Sequence, residues 1–349
     1  MNATKIPFEY LSKLDGMQER ESVTLEDVQK AADVIYSTSC FKPTKERMLA
    51  LNVMKAAFDR VDPLAYKNFY SRTCNIPPME LEEIYRNYPA LWWYDDSFRK
   101  ILHELLFTPV TGGDVVLWHI YNMGYIIKTH SHSFAIDPHH RLSEEIIQYL
   151  KFAGVTHNHG DHYTVPFAQS INGSHKLFIT NFFPNDGYAG FYENAGYSKG
   201  PRRTLKVDDI TINTFETDHN NTLSRFVQPI EIHCGEGDDA CVILTSGDTN
   251  NAKQLDVCAK KPDFYIVHPY VGLDVAEAAR ILQPKMTLVS HLQEFHHPLS
   301  GARWTWRQGY DAAKKIWDEG YDAVVPTWGE KIVWKAADGK KKQKRSRKA

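Results

Sequence analysis

The sequence predicts an α/β fold in which a helical N-terminal segment precedes a larger domain of strands and helices. Apolar residues recur at helical spacing through roughly the first hundred positions, and strand-like and helical patterns alternate from about residue 113. Of the 349 residues, 42% are hydrophobic, which suffices for one large or two medium cores. We therefore predict a helical domain over 1–108, an α/β domain over 109–335 and a disordered basic tail over 336–349.

The helical domain is predicted from two well-marked amphipathic segments and a further helical stretch at 77–107. Residues 22–39 begin with Ser and Thr followed by acidic residues, as helix starts do, and residues 43–61 begin with a proline. The predicted buried face of the first helix consists of Val28, Ala31, Ala32 and Ile35, and that of the second of Leu49, Val53 and Ala57. Since this part carries no metal-binding or phosphate-binding motif, its expected role is a cap or a homodimer interface.

The α/β domain is predicted from short apolar runs separated by turn residues. The strand-like segments lie at 114–121, 124–130, 133–138, 151–157, 175–180, 209–217, 240–248, 264–270, 286–291 and 323–334. The helical patterns lie at 141–153, 274–283 and 306–320. The alternation is typical of sheets covered by helices.

Charge and cysteine content narrow the function classes. The net charge is −2, but the last eleven residues carry seven Lys or Arg, which leaves the rest of the chain at −9. An acidic body with a basic tail argues against nucleic acid as the partner. There is no run long enough to span a membrane and no secretory leader pattern, and five scattered cysteines are typical of reduced thiols, so we expect a cytoplasmic protein.

The segment THNHGDHYTV at 156–165 is the strongest functional signal in the sequence. On extended chain His157 and His159 point to the same side, so that one metal ion can bind both. Gly160 permits a bend, after which Asp161 and His162 can turn toward a second ion. Imidazole nitrogen and carboxylate oxygen are good ligands for zinc, iron and manganese. A polar loop that is His-rich by chance is the competing interpretation, and four candidate ligands within six residues argue against it.

The arrangement H-x-H-x-D-H is the signature of the metallo-β-lactamase fold superfamily, which this chain resembles over about residues 113–334. Further motifs of that superfamily follow in the expected order. They are Asn122 and Gly124, Asp137 and Pro138, His219 in TFETDHNN, Asp248 in VILTSGDTNN, and His291 in MTLVSHLQEF.

The resemblance implies a four-layer αβ/βα sandwich with a dinuclear metal site at one edge of its sheets. It also implies a ligand set: His157, His159 and His219 for the first ion, Asp161, His162 and His291 for the second, and Asp248 as the bridge. Ions of this kind lower the pKa of bound water, and a bridging hydroxide can attack a carbonyl or phosphoryl centre. Asp161 is the expected catalytic residue, since it can orient the nucleophile as well as bind metal.

The implied function is a dinuclear hydrolase of a small ester, lactone or phosphodiester, with zinc favoured and iron or manganese as alternatives. The sequence does not name the small-molecule substrate. A second hypothesis is a di-iron oxygenase on the same fold. It depends on Glu294 and His297, which have the Glu-x-x-His spacing of di-iron helices. If 291–297 were helical, Glu294 could be an additional ligand; otherwise it would support a histidine. A third hypothesis, a metal-free binding protein on this fold, is disfavoured because such a protein should have lost some of the metal ligands, and the set here is complete.

Other polar residues receive secondary interpretations. Asp137 is expected to support the metal loop, and His268 to be structural rather than part of the site. His139 and His140 are expected at the surface, with a position at the pocket entrance as the alternative. The loop at 181–203 is expected to be either a substrate lid or a plain surface loop.

Overall fold

A computed structural model describes residues 5–6, 10–11, 14, 22–72, 75–182, 202–297 and 303–336. Nearly all of the predicted basic tail and most of the 181–203 loop lie outside these residues. Cys40, Cys234 and Cys241, which are among them, are buried free thiols, and Cys258 is buried. Within the described ranges, no helix is both long and apolar enough to cross a membrane.

In the described range from residue 22 onward, five α-helices precede the first strand. They are α1 (Leu25–Ser37), α2 (Lys45–Phe58), α3 (Pro63–Tyr70), α4 (Pro78–Asn87) and α5 (Pro89–Phe107). Thr24 and Thr44 cap α1 and α2 through their side chains, as the Ser/Thr signals indicate. The predicted buried face of α1 is confirmed.

The predicted face of α2 is confirmed at Ala57 but wrong at Leu49, which is 47% exposed, while Met48, Leu51 and Met54 are buried outside that face. The reason is that α2 packs against both α1 and α5, which bury a wider arc than a single apolar stripe.

The strands form two sheets. The strands of the first sheet are β1 (Val115–His119), β2 (Tyr125–Lys128), β3 (Ser133–Ile136), β4 (Phe152–Gly154), β5 (Leu177–Ile179) and β13 (Lys331–Trp334). Those of the second are β6 (Arg202–Val207), β7 (Ile210–Phe215), β8 (Ile230–Cys234), β9 (Cys241–Thr245), β10 (Phe264–Val267), β11 (Thr287–Val289) and β12 (Ala323–Val324). The order across the first sheet is β13-β1-β2-β3-β4-β5, and across the second β12-β11-β10-β9-β8-β7-β6.

The two sheets pack face to face over an apolar core. Alternate residues from both sheets meet there, among them Leu117, Ile127, Phe134, Ile212, Ile232 and Ile266. The opposite faces of the strands share a second core with the helices. The helices that follow β1 are α6 (Val165–Gly173), α7 (Val275–Leu282) and α8 (Trp306–Asp318). The result is a four-layer αβ/βα sandwich, so the predicted fold class is confirmed.

Four elements of the predicted order need correction. The helix predicted at 141–153 is a 3-10 helix, Ser143–Tyr149, followed directly by β4. Strands β6 and β8 and helix α6 were not predicted. β6 and β8 flank β7 in antiparallel ladders, and their outward residues are polar, which weakens the apolar pattern that marks a strand.

Buried ion pairs connect the N-terminal helices to the sandwich. Arg47 on α2 donates to Glu330 before β13 at 2.6 Å. Asp95 on α5 pairs with Arg141, and its Oδ1 accepts from Nε of Arg141 at 2.8 Å. Helices and sheets also share one apolar core, so the division into two domains stays a prediction.

Candidate metal centre

The predicted metal ligands come together at one edge of the sandwich. Strand β4 leads into the segment that carries His157, and β7, β9 and β11 each end shortly before His219, Asp248 and His291 respectively. Strands β9, β10 and β11 are parallel, so their carboxyl ends share one edge of the sheet. This is the edge at which α/β sheets usually place ligand sites.

The first group of candidate ligand atoms contains His157, His159, His219 and Asp248, all within 4.8 Å of one another. Oδ2 of Asp248 lies 3.6 Å from Nε2 of His157 and 3.5 Å from Nε2 of His219. Nε2 of His157 and Nδ1 of His159 are 3.1 Å apart. Three imidazoles and one carboxylate match the ligand chemistry of zinc.

The second group contains Asp161, His162 and His291, all buried. Oδ2 of Asp161 lies 3.0 Å from Nε2 of His291 and 3.7 Å from Nε2 of His162. Oδ1 of Asp248 approaches Nε2 of His162 at 3.2 Å. Asp248 therefore faces the first group with one carboxylate oxygen and the second group with the other.

His268 belongs to a third group with Asp248 and His291. Its ring is stacked on that of His291, with the centroids 3.7 Å apart, and it is buried. The sequence interpretation placed His268 outside the site. The available signal was its position, because His268 ends β10 in FYIVHPY just as His291 follows β11.

The buried carboxylate of Asp137 orients the metal loop. It accepts from the Thr156 backbone N–H at 2.7 Å and from the Thr156 hydroxyl at 2.8 Å. Nδ1 of His162 lies 3.0 Å away, which leaves Nε2 directed toward Asp248. A carboxylate behind an imidazole in this way fixes the tautomer and the ring orientation.

Replacing Asp137 with asparagine is expected to lower metal affinity about 10- to 100-fold. The amide keeps one acceptor for Thr156 but no longer accepts from the N–H of His162. Competition with a chromogenic chelator measures the affinity. Asp96→Asn is the matched control, because Asp96 accepts from Tyr36 among the N-terminal helices. Equal affinities for both variants would contradict a supporting role for Asp137.

The Asn-x-Gly motif holds two members of the second group, Asp161 and His291, through hydrogen bonds of Asn122. Asn122 has a positive φ of 53° and donates from Nδ2 to the Asp161 carbonyl at 2.8 Å and to Oδ2 of Asp161 at 3.1 Å. Its own carbonyl accepts from the His291 backbone N–H at 3.1 Å. A Cβ at Gly124 would lie 2.7 Å from the Asp137 carbonyl oxygen, which explains the glycine.

Electrostatics favour a cation at this site. Burial opposes a charge on His162, but Asp248, Asp161 and Asp137 around it raise its pKa well above the usual value. Burial likewise opposes ionisation of Asp161 and Asp248, but the neighbouring His162 outweighs it and holds both pKa values well below the usual range. Carboxylates arranged to stabilise one buried positive charge would also stabilise a metal ion.

Several buried donor atoms of the candidate ligands lack hydrogen-bond partners beyond one another, as expected of atoms that bind a metal ion. Within the described ranges, Nδ1 of His291 is buried without a hydrogen-bond partner, and the buried Nε2 of His162 and Oδ1 of Asp248, 3.2 Å apart, have no further partner. Buried polar atoms are normally paired, and an unmet group calls for an explanation such as an ion. Metal coordination would satisfy atoms of this kind.

Glu294 and His297 form a pair beside the second group. Oε1 of Glu294 accepts from Nδ1 of His297 at 2.8 Å and from its backbone N–H at 3.0 Å, and Oε2 accepts from the His296 N–H at 2.6 Å. Residues 291–297 are not helical, and His291 has a positive φ of 62°. No group of candidate ligand atoms in the described residues includes Glu294.

A cleft of about 400 Å³ adjoins the first group. Phe226, which lines it, packs against the rings of His157, His159 and His219. The cleft is also lined by Asn158, Asn181, Phe182, Glu216, Ser224 and Arg225, and the Arg225 guanidinium is paired with Glu216. This volume is within the usual range for small-molecule sites.

His139 and His140, expected at the surface, are buried, so that prediction is wrong. The ring of His140 lies between those of Tyr94 and Phe98, at centroid distances of 3.9 and 4.2 Å. Its Nε2 lies 3.1 Å from the Tyr94 carbonyl, and its Nδ1 accepts from the Leu142 N–H. A histidine with both nitrogens paired can be buried in its neutral form, and burial lowers the pKa of His140 well below the usual value.

The two-sheet sandwich with candidate ligands at its strand ends is the arrangement that the resemblance of the sequence motifs implies. No protein-family model and no curated protein matches the sequence.

Several solved structures are similar to this chain. The metallo-β-lactamase fold protein YhfI from Bacillus subtilis is 15% identical with a TM-score of 0.48, over 64% of this chain and 100% of that one. CmlA, a diiron β-hydroxylase from Streptomyces venezuelae, is 14% identical with a TM-score of 0.48, over 64% and 55%. An isothiocyanate hydrolase from Delia radicum gut bacteria is 17% identical with a TM-score of 0.48, over 64% and 100%. At these values the similarity says nothing about which reaction this chain performs.

Proposed function

We propose that this protein is a dinuclear metal-dependent hydrolase acting on a small ester, lactone or phosphodiester. The observation that carries the proposal is the position of Asp248, whose two carboxylate oxygens face two separate groups of buried imidazoles. A shared carboxylate of this kind is what a pair of bridged metal ions requires.

In this proposal each group of residues has its own task. His157, His159 and His219 hold the first ion, Asp161, His162 and His291 the second, and Asp248 both. When bound, such ions acidify water and stabilise negative charge that develops on a substrate oxygen. His268 is an eighth candidate, able to contact the second ion or to fix the ring of His291.

Asp161 is the proposed catalytic residue. Asn122 holds both its carbonyl oxygen and its Oδ2, so the carboxylate has a fixed direction. A carboxylate fixed beside the reacting atoms can accept a hydrogen bond from water and orient it for attack. His297, whose Nδ1 is held by the buried Glu294, is a second oriented side chain at this edge.

Metal analysis tests the proposal directly. We expect about two zinc ions per chain after purification without added metal. Esterase, lactonase and phosphodiesterase activities should fall on treatment with a chelator and return with zinc. Asp161→Ala should lower both the metal content and the activity, while Glu294→Ala should retain the zinc. The absence of metal from the wild-type protein would contradict the proposal.

The same analysis separates the hydrolase from the di-iron oxygenase. An oxygenase would carry about two irons, consume oxygen, and lose iron in Glu294→Ala. Both Glu294 oxygens accept hydrogen bonds from the adjacent loop, and the candidate ligand groups contain three imidazoles on one side and two on the other. These observations support zinc and hydrolysis as the first proposal.

A further inference from the structure

We propose that helix α3 brings the N-terminal helices into the active site and forms part of a subsite for an uncharged aromatic group of the substrate. The subsite consists of Tyr66, Tyr70, His139 and His296, which we call the Tyr–His box. This inference rests on the proposed function and deepens it, because it names the part of the substrate that the protein recognises.

The four rings of the Tyr–His box form two walls at right angles. Tyr70 and His139 are stacked, with centroids 5.2 Å apart and an interplanar angle of 16°. His296 meets both edge-on, at 5.0 Å from Tyr70 and 4.4 Å from His139. The Tyr66 hydroxyl lies 3.2 Å from Nδ1 of His296 and holds that ring in place.

The box lies beside the second group of candidate metal ligands. Nδ1 of His139 is 3.3 Å from the carbonyl of Tyr163, the residue that follows His162. His296 belongs to the loop that begins at His291.

The box is accessible and has an unused polar atom. His296 is exposed and Tyr70 half-buried, whereas Tyr66 and His139 are buried behind them. Nδ1 of His139 can donate to the Tyr163 carbonyl, which leaves Nε2 as an acceptor. Within the described ranges, Nε2 has no hydrogen-bond partner. A buried acceptor without a partner is costly, and a ligand N–H or O–H would satisfy it.

The chemistry of the box selects against charge. The ring contacts of its four members are with Tyr, Phe and His side chains, including Tyr94, Tyr121 and Phe295. Burial also lowers the pKa of His139 well below its usual value, so this imidazole carries no charge at neutral pH. Ring faces and edges of this kind bind another aromatic ring in stacked or edge-on geometry. A phosphate or carboxylate would find no fixed cation among these four side chains.

Binding of a neutral aromatic amide tests the inference. In ligand-observed NMR with the zinc-loaded full chain, phenylacetamide should bind more tightly than hexanamide. Tyr70→Ala and His296→Ala should each weaken phenylacetamide binding about three- to tenfold, the range expected for one lost aromatic pair. Tyr70→Phe should retain binding because it keeps the ring. Leu64→Ala, on the same helix at a site that is 64% exposed, is the control and should not change it.

Kinetics provide the second measurement. With methyl phenylacetate as substrate, Tyr70→Ala should raise KM more than it lowers kcat, and this rise in KM should be larger than the one it causes with methyl hexanoate. Equal binding of the two amides, or unchanged binding in Tyr70→Ala with zinc content intact, would overturn the inference. Because the amides contain no ester or lactone, their binding tests the subsite separately from the reaction. If phenylacetamide bound as expected but no ester, lactone or phosphodiester were hydrolysed, the subsite would be retained and the hydrolase rejected.

Discussion

Replacing Asp248 with alanine is expected to deplete both metal positions and to abolish hydrolysis. Asp248 is the carboxylate that lies within reach of His157, His219 and His162, so its loss removes one ligand from each group. Metal ions contribute several kcal/mol of transition-state stabilisation, so the rate should fall on the order of a thousandfold or more. Elemental analysis and initial rates on the best substrate of the ester, lactone and phosphodiester panel measure the two effects.

The control for this variant is Asp256→Ala. Asp256 follows the same strand, lies in the 3-10 helix Ala252–Val257, and is exposed with an ion pair to Lys260. It should retain full metal content and activity. Circular dichroism should show that both variants are folded. Two ions per chain in Asp248→Ala would mean that Asp248 does not bridge the centre, and the proposed ligand set would have to be revised.

The sequence predicted the metal ligands because they either lie close together in the chain or directly follow an apolar strand pattern. Four candidate ligands occur within six residues in His157–His162, and each remaining one follows an apolar strand. Strands place their carboxyl ends together, so residues far apart in sequence can be expected at one edge. The structure brings all seven predicted ligand residues into two groups, with Asp248 in the first and its Oδ1 3.2 Å from Nε2 of His162 in the second.

The remainder of the site depends on tertiary contacts that have no local signal. Tyr66 and Tyr70 lie on a helix that the sequence marks only as amphipathic, and nothing nearby predicts that this helix packs against the loop carrying His296. The paired histidines after Pro138 seemed polar and exposed. Their burial depends on hydrogen bonds to Tyr94, Leu142 and Tyr163, which come from separate segments.

The error at 141–153 has a simple physical origin. The apolar residues Leu142, Ile146, Ile147 and Leu150 fit α-helical spacing, but only Ser143–Tyr149 is helical, and it is a 3-10 helix, which is used in short pieces. The chain then needs an extended segment, because β4 must pair in parallel with both β3 and β5. Sheet pairing outweighs the helical preference of these last residues.

The connection between the N-terminal helices and the sandwich matters to function if α3 contributes to the active site. Two buried arginines make this connection. Arg141 pairs with Asp95, and Arg47 donates to Glu330, to the Thr327 hydroxyl at 3.2 Å and to the Ile35 carbonyl at 3.1 Å. Glu330 in turn accepts from the Cys40 backbone N–H at 2.6 Å. The helices are therefore held by polar contacts as well as by the shared core.

Replacing Arg47 with methionine is expected to lower the free energy of unfolding by about 3–5 kcal/mol. Arg47 is fully buried and the Glu330 side chain nearly so, and the variant leaves the carboxylate of Glu330 buried without its cation. The double variant Arg47→Met with Glu330→Gln should recover part of this loss, because no unpaired charge remains. Urea unfolding monitored by circular dichroism, with the same metal content in each sample, gives the values.

Arg86→Met is the matched control, because Arg86 and Glu82 form an ion pair whose side chains are 68% and 60% exposed. Such surface pairs contribute at most about 1 kcal/mol, so this variant should unfold almost like the wild type. If Arg47→Met lowered the free energy of unfolding as little as Arg86→Met, water would have to reach Glu330. The contact between α2 and the segment before β13 would then not be closely packed. A large loss that the double variant partly restores would mean that this pair fixes the position of the helices, and with them of α3, against the metal centre.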